Sequence, residues 1–266
     1  MSEDFAGRTA VVAGGGSGIG AATAELLARR GGAVVVGDLS AEAARRTAEK
    51  IEADGGSALP VAFDIADEAS VGRLFDAAVE RFGTVAHLVN VAADLGPDTL
   101  GVDDASDAVT LPLEVWHRTF AVDLTGHLLT IRRAVPLMLE RGGGSIVNVS
   151  SEASSLGLGD KPAYSAAKAG VDALTRHVAR RWGTEGIRCN AVSPGMVMTE
   201  AVRAMYGTRS YGTEADVGSR VRGINPMGRP GEPEEVASVI VHLLSDEASW
   251  VTGQLHHVSG GMVFGR

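Results

Sequence analysis

The chain has 266 residues, of which 45% are hydrophobic and 21% charged, and its formal net charge is -9. This composition is typical of a globular protein with a sizeable core, and it excludes a disordered or fibrous chain. The acidic balance argues against nucleic acid as a partner, because proteins that bind the phosphate backbone cluster Lys and Arg.

The amino terminus and the cysteine content bear on location. The opening MSEDFAGRTA lacks a positive segment followed by an apolar run, and no stretch of the chain is long and apolar enough to span a bilayer. Cys189 is the one cysteine, so it cannot form an internal disulfide, and we interpret it as a small core residue. We therefore expect a cytoplasmic protein with no membrane partner.

Short apolar runs of strand length alternate with longer segments of helical spacing along the chain. Alternation of this kind produces βαβ units, and continuously apolar strands indicate a parallel sheet that is covered on both faces. The predicted fold class is α/β, a Rossmann-type doubly wound parallel sheet of about seven strands with helices on both faces, formed by residues 1–266 as one domain. The predicted strands are 9–13, 33–37, 59–63, 87–91, 145–149 and 188–192, with a last strand that contains His256 and His257.

Helical spacing predicts helices at 21–30, 41–53 and 71–82, a long helix at about 113–141, and another at 162–183. Ser40 is expected to be the N-cap of the second helix, and Gly31 and Gly83 follow the first and the third. Residues 94–107 and 206–233 are predicted to be irregular, and we interpret them as lids or surface insertions.

The stretch VVAGGGSGIGAATAELL places glycines between the first strand and the first helix. A close turn there lets backbone N–H groups and the helix N-terminus receive a pyrophosphate. The spacing fits GxGxxG/A through Gly16, Gly18 and Ala21, and it fits GxxxGxG through Gly14, Gly18 and Gly20. Alone, the loop is a weak signal.

Asp38 ends the second predicted strand, about twenty residues after the loop, where its carboxylate can accept hydrogen bonds from an adenosine ribose. The same charge would repel a 2′-phosphate, and neither Gly37 nor Leu39 is an arginine that would bind one. The pattern therefore favours NAD over NADP. The alternative is a glycine-rich turn in which Asp38 only caps a helix.

Tyr164 and Lys168 lie four residues apart in AYSAAK, so they are neighbours on one helix face. The lysine charge would lower the pKa of the phenol from about 10, which would let it exchange a proton with an alcohol or a carbonyl near neutral pH. Isolated, this spacing more often describes a half-buried tyrosine and a solvated lysine. Ser151 ends a predicted strand thirteen residues earlier, and its hydroxyl could hold the substrate oxygen.

The glycine loop, Ser151 and the Tyr-Lys pair, in this order and spacing, resemble the classical short-chain dehydrogenase/reductase family, from Gly7 to Gly261. The resemblance implies an NAD-dependent oxidoreductase that interconverts a secondary alcohol and a ketone, and it implies a homotetramer. Tyr164 takes the place of the family's general acid/base, and Ser151 that of the serine that orients the substrate oxygen. Lys168 takes the place of the lysine that binds the nicotinamide ribose.

The resemblance also implies the cofactor contacts. The stretch FDIAD matches the family's contacts to adenine, and SPGMVMT matches those around the nicotinamide carboxamide and the phosphates. The expected cofactor-binding residues are Gly14, Ser17, Gly18, Ile19, Gly20, Asp38, Leu39, Asp64, Ile65, Asn90, Val91, Ala92, Tyr164, Lys168, Pro194, Gly195, Val197 and Thr199.

The chain departs from the family's pattern at three places. Ala13 replaces the Thr that opens the glycine motif, NVAA at 90–93 replaces NNAG, and Asp123 replaces the Asn of the catalytic tetrad. An ionised Asp only accepts hydrogen bonds. We hypothesise that Asp123 holds the relay water near Lys168 and shifts the pH optimum upward. The alternative is that Asp123 merely bonds to backbone at a helix kink.

No metal site is expected. His256 and His257 have no HExxH motif or Cys-His cluster beside them, and the aspartates of 94–107 fit a solvated loop. Glu152 follows Ser151 and is interpreted as a loop residue. Two other functions stay open, an NAD-binding regulator with little turnover and a dehydrogenase of a cyclic diol. The expected partner is a small alcohol or ketone, and its identity cannot be read from the sequence.

Overall fold

The computed structural model describes residues 4–204 and 214–264, and these form a seven-stranded sheet with helices on both faces. The strand order is β3-β2-β1-β4-β5-β6-β7, and every pair is parallel. The strands are β1 (Thr9–Ala13), β2 (Ala33–Asp38), β3 (Ser57–Ala62), β4 (His87–Asn90), β5 (Gly144–Val149), β6 (Ile187–Pro194) and β7 (Leu255–Val258). This order confirms the predicted α/β fold class.

Successive residues of a strand face opposite sides of the sheet, and in the five inner strands, β1, β2, β4, β5 and β6, both sides are largely buried. In β1, Val11 and Val12 are both completely buried, yet they belong to different apolar clusters. The Val12 cluster includes Leu27 of the first helix, and the Val11 cluster includes Leu74 of the third. Burial on two sides explains why the strands read as continuous apolar runs.

The helices begin and end near the predicted positions. Ser40 Oγ accepts a hydrogen bond from the N–H of Ala43 at 3.2 Å, and Gly83 ends the third helix with φ +81°, as predicted. The third helix begins three residues earlier than expected, because Asp67 caps it. The helices are α1 (Gly18–Arg29), α2 (Ala41–Ala53), α3 (Glu68–Phe82), α4 (Leu100–Asp104), α5 (Leu113–Phe120), α6 (Gly126–Glu140), α7 (Ala153–Leu156), α8 (Pro162–Trp182), α9 (Glu200–Ala204), α10 (Glu214–Ile224) and α11 (Pro233–Leu244).

The long helix predicted at about 113–141 is present from Leu113 to Glu140, but its type changes in the middle, which the sequence did not indicate. A π-helical turn, Ala121–Thr125, separates α5 from α6. The turn keeps the consecutive residues Val122 and Asp123 buried, and Asp123 Oδ1 accepts a hydrogen bond from the N–H of Asp94 at 2.9 Å. Such turns insert a residue and re-aim side chains, and they occur frequently at functional sites.

The prediction that 94–107 and 206–233 are irregular is wrong in part. Helix α4 lies in the first segment and α10 in the second, whereas 206–213 lie outside the described residues. A helix as short as α4 spans little more than one turn, so it shows no apolar period in the sequence.

The structure also bears on Cys189 and on membrane-spanning helices. Cys189 is free and completely buried, as interpreted from the sequence, and burial raises the pKa of its thiol to about 12. Within 4–204 and 214–264, no helix combines the length and the hydropathy needed to cross a bilayer.

His87 is a buried histidine in β4, only 3% exposed, and its ring packs edge-on against Phe5 at 5.2 Å. Neither ring nitrogen has a hydrogen-bond partner among the described residues. Burial, reinforced by the positive charge of Arg8, lowers the pKa of His87 to about 3. The folded protein therefore keeps this ring neutral, while the unfolded chain protonates it near pH 6.5.

We predict that His87 makes the protein sensitive to acid. Because its pKa is lower in the folded state, the stability associated with the neutral ring is lost as pH falls from about 6.5 toward 3, at about 1.4 kcal/mol per pH unit. Between pH 7 and pH 5, His87→Leu should remove about 2 kcal/mol of the decrease in unfolding free energy, as measured by urea titration. The exposed His117→Gln is the control and should leave the decrease unchanged.

Candidate active site

A cavity of about 960 Å³ opens at the carboxyl ends of the strands. Residues that end or follow five neighbouring strands line it, namely Gly14 after β1, Asp38 of β2, Val91 after β4, Ser150 after β5 and Pro194 of β6. The chain order reverses between β1 and β4, and ligands of open parallel sheets bind at this switch point.

The glycine loop lines the cavity, and its glycine positions have no room for a side chain. Gly14 has φ +93°, and a Cβ there would lie 2.6 Å from the backbone N of Ala92. A Cβ on Gly20 would lie 1.9 Å from the carbonyl oxygen of Gly14. The first turn of α1 begins at Gly18, and the side chain of Ser17 does not cap it. This turn fits a phosphate group, since helix N-termini carry free N–H groups and a partial positive charge.

Asp38 is fixed at the rim of the same cavity. Its Oδ2 accepts a hydrogen bond from the N–H of Gly16 at 2.9 Å, and its Oδ1 accepts one from the N–H of Ser40 at 3.0 Å. Leu39 beside it is 67% exposed. The carboxylate is therefore held against the glycine loop, with no cationic side chain next to it in the chain.

The segments 64–65 and 194–199 complete the walls. Asp64 Oδ1 accepts a hydrogen bond from the N–H of Ala66 at 2.9 Å, which orders the loop after β3. Gly195 donates its N–H to the carbonyl of Val258 at 3.1 Å. A Cβ on Gly18 would lie 2.9 Å from Cγ2 of Thr199, so this segment lies directly against the glycine loop.

Most residues predicted for the site line the cavity, but three do not. Asn90 is completely buried, where it donates to Asn148 Oδ1 at 2.9 Å and accepts from the Thr130 hydroxyl at 2.7 Å. Gly20 packs against the carbonyl of Gly14, and Asp123 is completely buried. The predicted residues on the walls are Gly14, Ser17, Gly18, Ile19, Asp38, Leu39, Asp64, Ile65, Val91, Ala92, Ser151, Tyr164, Lys168, Pro194, Gly195, Val197 and Thr199.

Ser151, Tyr164 and Lys168 all line the same cavity as the glycine loop. Lys168 Nζ lies 5.6 Å from the centroid of the Tyr164 ring, and it donates a hydrogen bond to the carbonyl of Val149 at 3.2 Å. Ser151 Oγ accepts from the N–H of Ala153 at 3.2 Å, which fixes the hydroxyl at the end of β5. The arrangement brings a hydroxyl, a phenol and an ammonium to one place.

Lys168 and Asp123 are two buried groups of opposite charge. Burial lowers the pKa of the Lys168 ammonium, and the carboxylates of Asp123 and Asp172 partly offset this. Burial likewise raises the pKa of the Asp123 carboxyl, against the charge of Lys168. Asp123 does bond to backbone in a helix kink, through Oδ1, while Oδ2 has no hydrogen-bond partner among the described residues.

His127 is a buried site residue that the sequence reasoning missed. It lies four residues after Asp123, with Nε2 at 3.3 Å from the carbonyl of Ala92, and Nδ1 has no partner in the part of the chain that the structure describes. Burial, together with the nearby charge of Lys168, lowers the pKa of His127 to about 3. This ring is therefore neutral at physiological pH. In the sequence, only its spacing of four residues from Asp123 could have indicated that it lies near this residue.

Glu152 was interpreted as a loop residue, but its side chain is 3% exposed and lines the cavity. Its two carboxylate oxygens lie 2.9 and 3.1 Å from Nδ1 of His257 in β7. The pair joins the Ser151 segment to the last strand. The two residues are 105 positions apart, so no local pattern pointed to it. Within the described ranges, no cluster of three or more His, Cys, Asp or Glu residues could hold a metal ion.

A parallel sheet with a cavity at its switch point and a glycine loop facing it defines a dinucleotide-binding class of protein. Residues 13–263 match the family model described as enoyl-(acyl carrier protein) reductase. With its curated relatives, this match shows that the chain belongs to the short-chain dehydrogenase/reductase family and is an oxidoreductase.

Two curated relatives and a solved structure match this chain over almost its full length. The chain is 43% identical to cis-4-hydroxycyclohexanecarboxylate dehydrogenase of Sinomonas cyclohexanicum, over 98% of both chains. It is 36% identical to cyclohexanol dehydrogenase of Acinetobacter sp., over 98% of this chain and 96% of the relative. A 7α-hydroxysteroid dehydrogenase, complexed with NADH and 7-oxo glycochenodeoxycholic acid, matches at 29% identity with a TM-score of 0.87, over 98% of this chain and 97% of that one.

Proposed function

We propose that this enzyme interconverts a secondary alcohol on a ring and the corresponding ketone, with NAD as the hydride carrier. The observation that carries the proposal is that Ser151, Tyr164 and Lys168 line the same cavity as the glycine loop, with Lys168 Nζ 5.6 Å from the centroid of the Tyr164 ring. A hydride acceptor and a proton acceptor must reach the same carbinol group, and this cavity offers a place for each.

The family's nicotinamide cofactor fits the residues of the cavity. Gly14, Ser17, Gly18 and Ile19 line the cavity at the start of α1, whose first turn has no side-chain cap at Ser17, so the N-terminus of this helix would receive a pyrophosphate. Asp64 and Ile65 line the part of the cavity beyond Asp38, where the adenine would be held. When bound, the nicotinamide supplies the hydride acceptor.

The residues of the chain would carry out the proton transfer. Ser151 donates a hydrogen bond to the substrate oxygen and orients it. Tyr164 removes the hydroxyl proton in oxidation and returns it in reduction. Lys168 favours the phenolate by its positive charge, and its own ammonium is held against the end of β5 by the Val149 carbonyl.

The proposed substrate class rests on the two curated relatives and on the apolar residues that line the cavity. The names of the relatives from Sinomonas cyclohexanicum and Acinetobacter sp. both describe a cyclohexane ring that bears a hydroxyl group. Part of the cavity wall is apolar, which favours a hydrocarbon ring over a strongly hydrated substrate. These apolar lining residues are Leu95, Leu100, Leu156, Leu158, Val202, Ile224 and Met262.

We also propose that the protein is a cytoplasmic homotetramer, as family membership leads us to expect. Leu113, Leu128 and Leu139 of α5 and α6 are 39–69% exposed, and helix packing between subunits would cover them. Val171 and Val178 of α8 do not contribute to this argument, because they are buried in their own subunit.

We predict that a panel of cyclic secondary alcohols with NAD⁺ gives absorbance of reduced nicotinamide, and that Tyr164→Phe lowers kcat at least 100-fold. Loss of a general base costs about 10²–10⁴-fold. The ring of the variant keeps its shape, so NADH binding, followed by fluorescence, should change less than threefold. A variant that retains full turnover would contradict the assigned role. A panel that yields no turnover in the wild type, although NADH binds, would favour a regulator.

We predict that Asp38 enforces a preference for NAD⁺ over NADP⁺ of at least 100-fold in kcat/KM. The fixed carboxylate repels a 2′-phosphate and accepts from the ribose hydroxyls, so Asp38→Asn should lower KM for NADP⁺ at least fivefold and raise it for NAD⁺. The control is Glu49→Gln, which neutralises a 65% exposed carboxylate on α2 and should change neither constant. Equal use of both cofactors by the wild type would contradict this role of Asp38.

We predict that Asp123→Asn shifts the acidic limb of the kcat-pH profile to lower pH by about one unit. Asp123 partly neutralises Lys168, so its removal leaves more positive charge to favour the phenolate, which then forms at lower pH. Asp172→Asn is the matched variant and should shift the profile in the same direction by less, since Asp172 acts more weakly on Lys168. An unchanged profile for Asp123→Asn would contradict the hypothesis.

A further inference from the structure

Helix α8 carries Tyr164 and Lys168, and it begins without a cap of its own. Lys161 occupies the N-cap position with φ +57° in the left-handed region, and its side chain makes no capping bond. Pro162 follows and has no N–H. Helices usually begin at Ser, Thr, Asp or Asn, whose side chain binds the free N–H groups of the first turn. The first free N–H groups here are those of Ala163 and Tyr164.

Asp103 supplies the missing cap from sixty residues away. It is the penultimate residue of α4 and is completely buried. Its Oδ1 accepts a hydrogen bond from the N–H of Ala163 at 3.0 Å, and its Oδ2 accepts one from the N–H of Tyr164 at 2.8 Å. The N–H of Lys161 also donates to the carbonyl oxygen of Asp103 at 3.2 Å.

The next residue of α4 strengthens the same contact. Asp104 forms an ion pair with the ammonium of Lys161, which also lies 3.4 Å from Asp160. Lys161 and Leu100 both line the cavity. Helix α4 therefore lies between the wall of the cavity and the start of the helix that carries the tyrosine.

A buried carboxylate is costly unless hydrogen bonds satisfy it, and two backbone N–H groups at the positive end of a helix do so. The first turn of a helix is also where backbone hydrogen bonds open most readily. Tyr164 lies in that turn, so the position of its phenol depends on what holds its backbone. Asp103 bonds to this backbone directly, through the N–H of the tyrosine itself.

We propose that Asp103 is a positioning residue for Tyr164. The kinetic part of the proposal rests on the proposed function. Misplacement of a reacting group by about 1 Å can cost about 100-fold in rate. Loss of the cap should therefore act on the chemical step rather than on cofactor binding.

The test compares Asp103→Ala, Asp103→Asn and Asp104→Asn in the full chain. Asp103→Ala should speed amide hydrogen exchange at residues 163 and 164 at least 30-fold and lower kcat at least tenfold, with KM for NAD⁺ changed less than twofold. Asp103→Asn keeps one acceptor oxygen, so it should fall between Asp103→Ala and the wild type. Asp104→Asn removes the ion pair with Lys161 but leaves both backbone bonds, so kcat should stay within threefold.

Each outcome decides the proposal. Exchange at 163 and 164 that stays slow in Asp103→Ala would overturn the cap, and fast exchange with unchanged kcat would overturn the positioning role. If Asp103→Ala does not fold, the intermediate exchange and kcat of Asp103→Asn decide the same questions. A wild-type protein that binds NADH but turns over no alcohol contradicts the proposed function instead, while the exchange rates still decide whether Asp103 holds the tyrosine.

Discussion

The burial of Lys168 is the constraint on which the rest of the site depends. Its side chain is 1% exposed, and an ammonium at such a position must find hydrogen-bond acceptors and opposite charge or lose its proton. The Val149 carbonyl at the end of β5 supplies an acceptor, and Asp123 and Asp172 supply opposite charge. The π-helical turn is what brings Asp123 to this position. The buried ammonium of Lys168 thus contacts the sheet at β5 and interacts with the π-helical turn from its position on α8.

The cavity that would hold a ligand is built by other elements and is lined by Lys168. Strand order reverses between β1 and β4, which opens a cavity at the carboxyl ends of the sheet. Other parts of the protein pack so closely around Gly14 and Gly20 that neither position has room for a side chain, and the N-terminus of α1 follows within the same loop. Glu152 and His257 join the Ser151 segment to β7, while Asp103 joins α4 to the first turn of α8. The serine and the tyrosine are each held by a contact that comes from elsewhere in the chain.

The sequence allowed prediction of the features that depend on neighbouring residues. The strands of the sheet are recognisable from continuous apolar runs, and Ser40 and Gly83 from the local chemistry of helix ends. We could assign the glycine loop, Asp38, Ser151 and the Tyr-Lys pair to a site because their spacing along the chain fixes where they lie on the predicted strands and helices. The π-helical turn, the Asp103 cap and the Glu152–His257 pair could not, because each depends on a contact between distant parts of the chain. Asp103 illustrates the reason. In the sequence it is one of several aspartates in a segment without periodicity, a pattern typical of a solvated loop, whereas in the structure α4 places it against the start of α8.

We propose that hydride passes directly from the carbinol carbon to the nicotinamide while Tyr164 takes the proton. The most direct test is to supply NAD⁺ and a cyclic alcohol that carries deuterium on its carbinol carbon, and to examine the reduced cofactor by NMR. Our account predicts one deuterium per molecule at C4 of the nicotinamide, on one face only, with none exchanged to water. Reduced cofactor that carries solvent hydrogen at C4, or equal labelling of both faces, would contradict direct transfer within an ordered site.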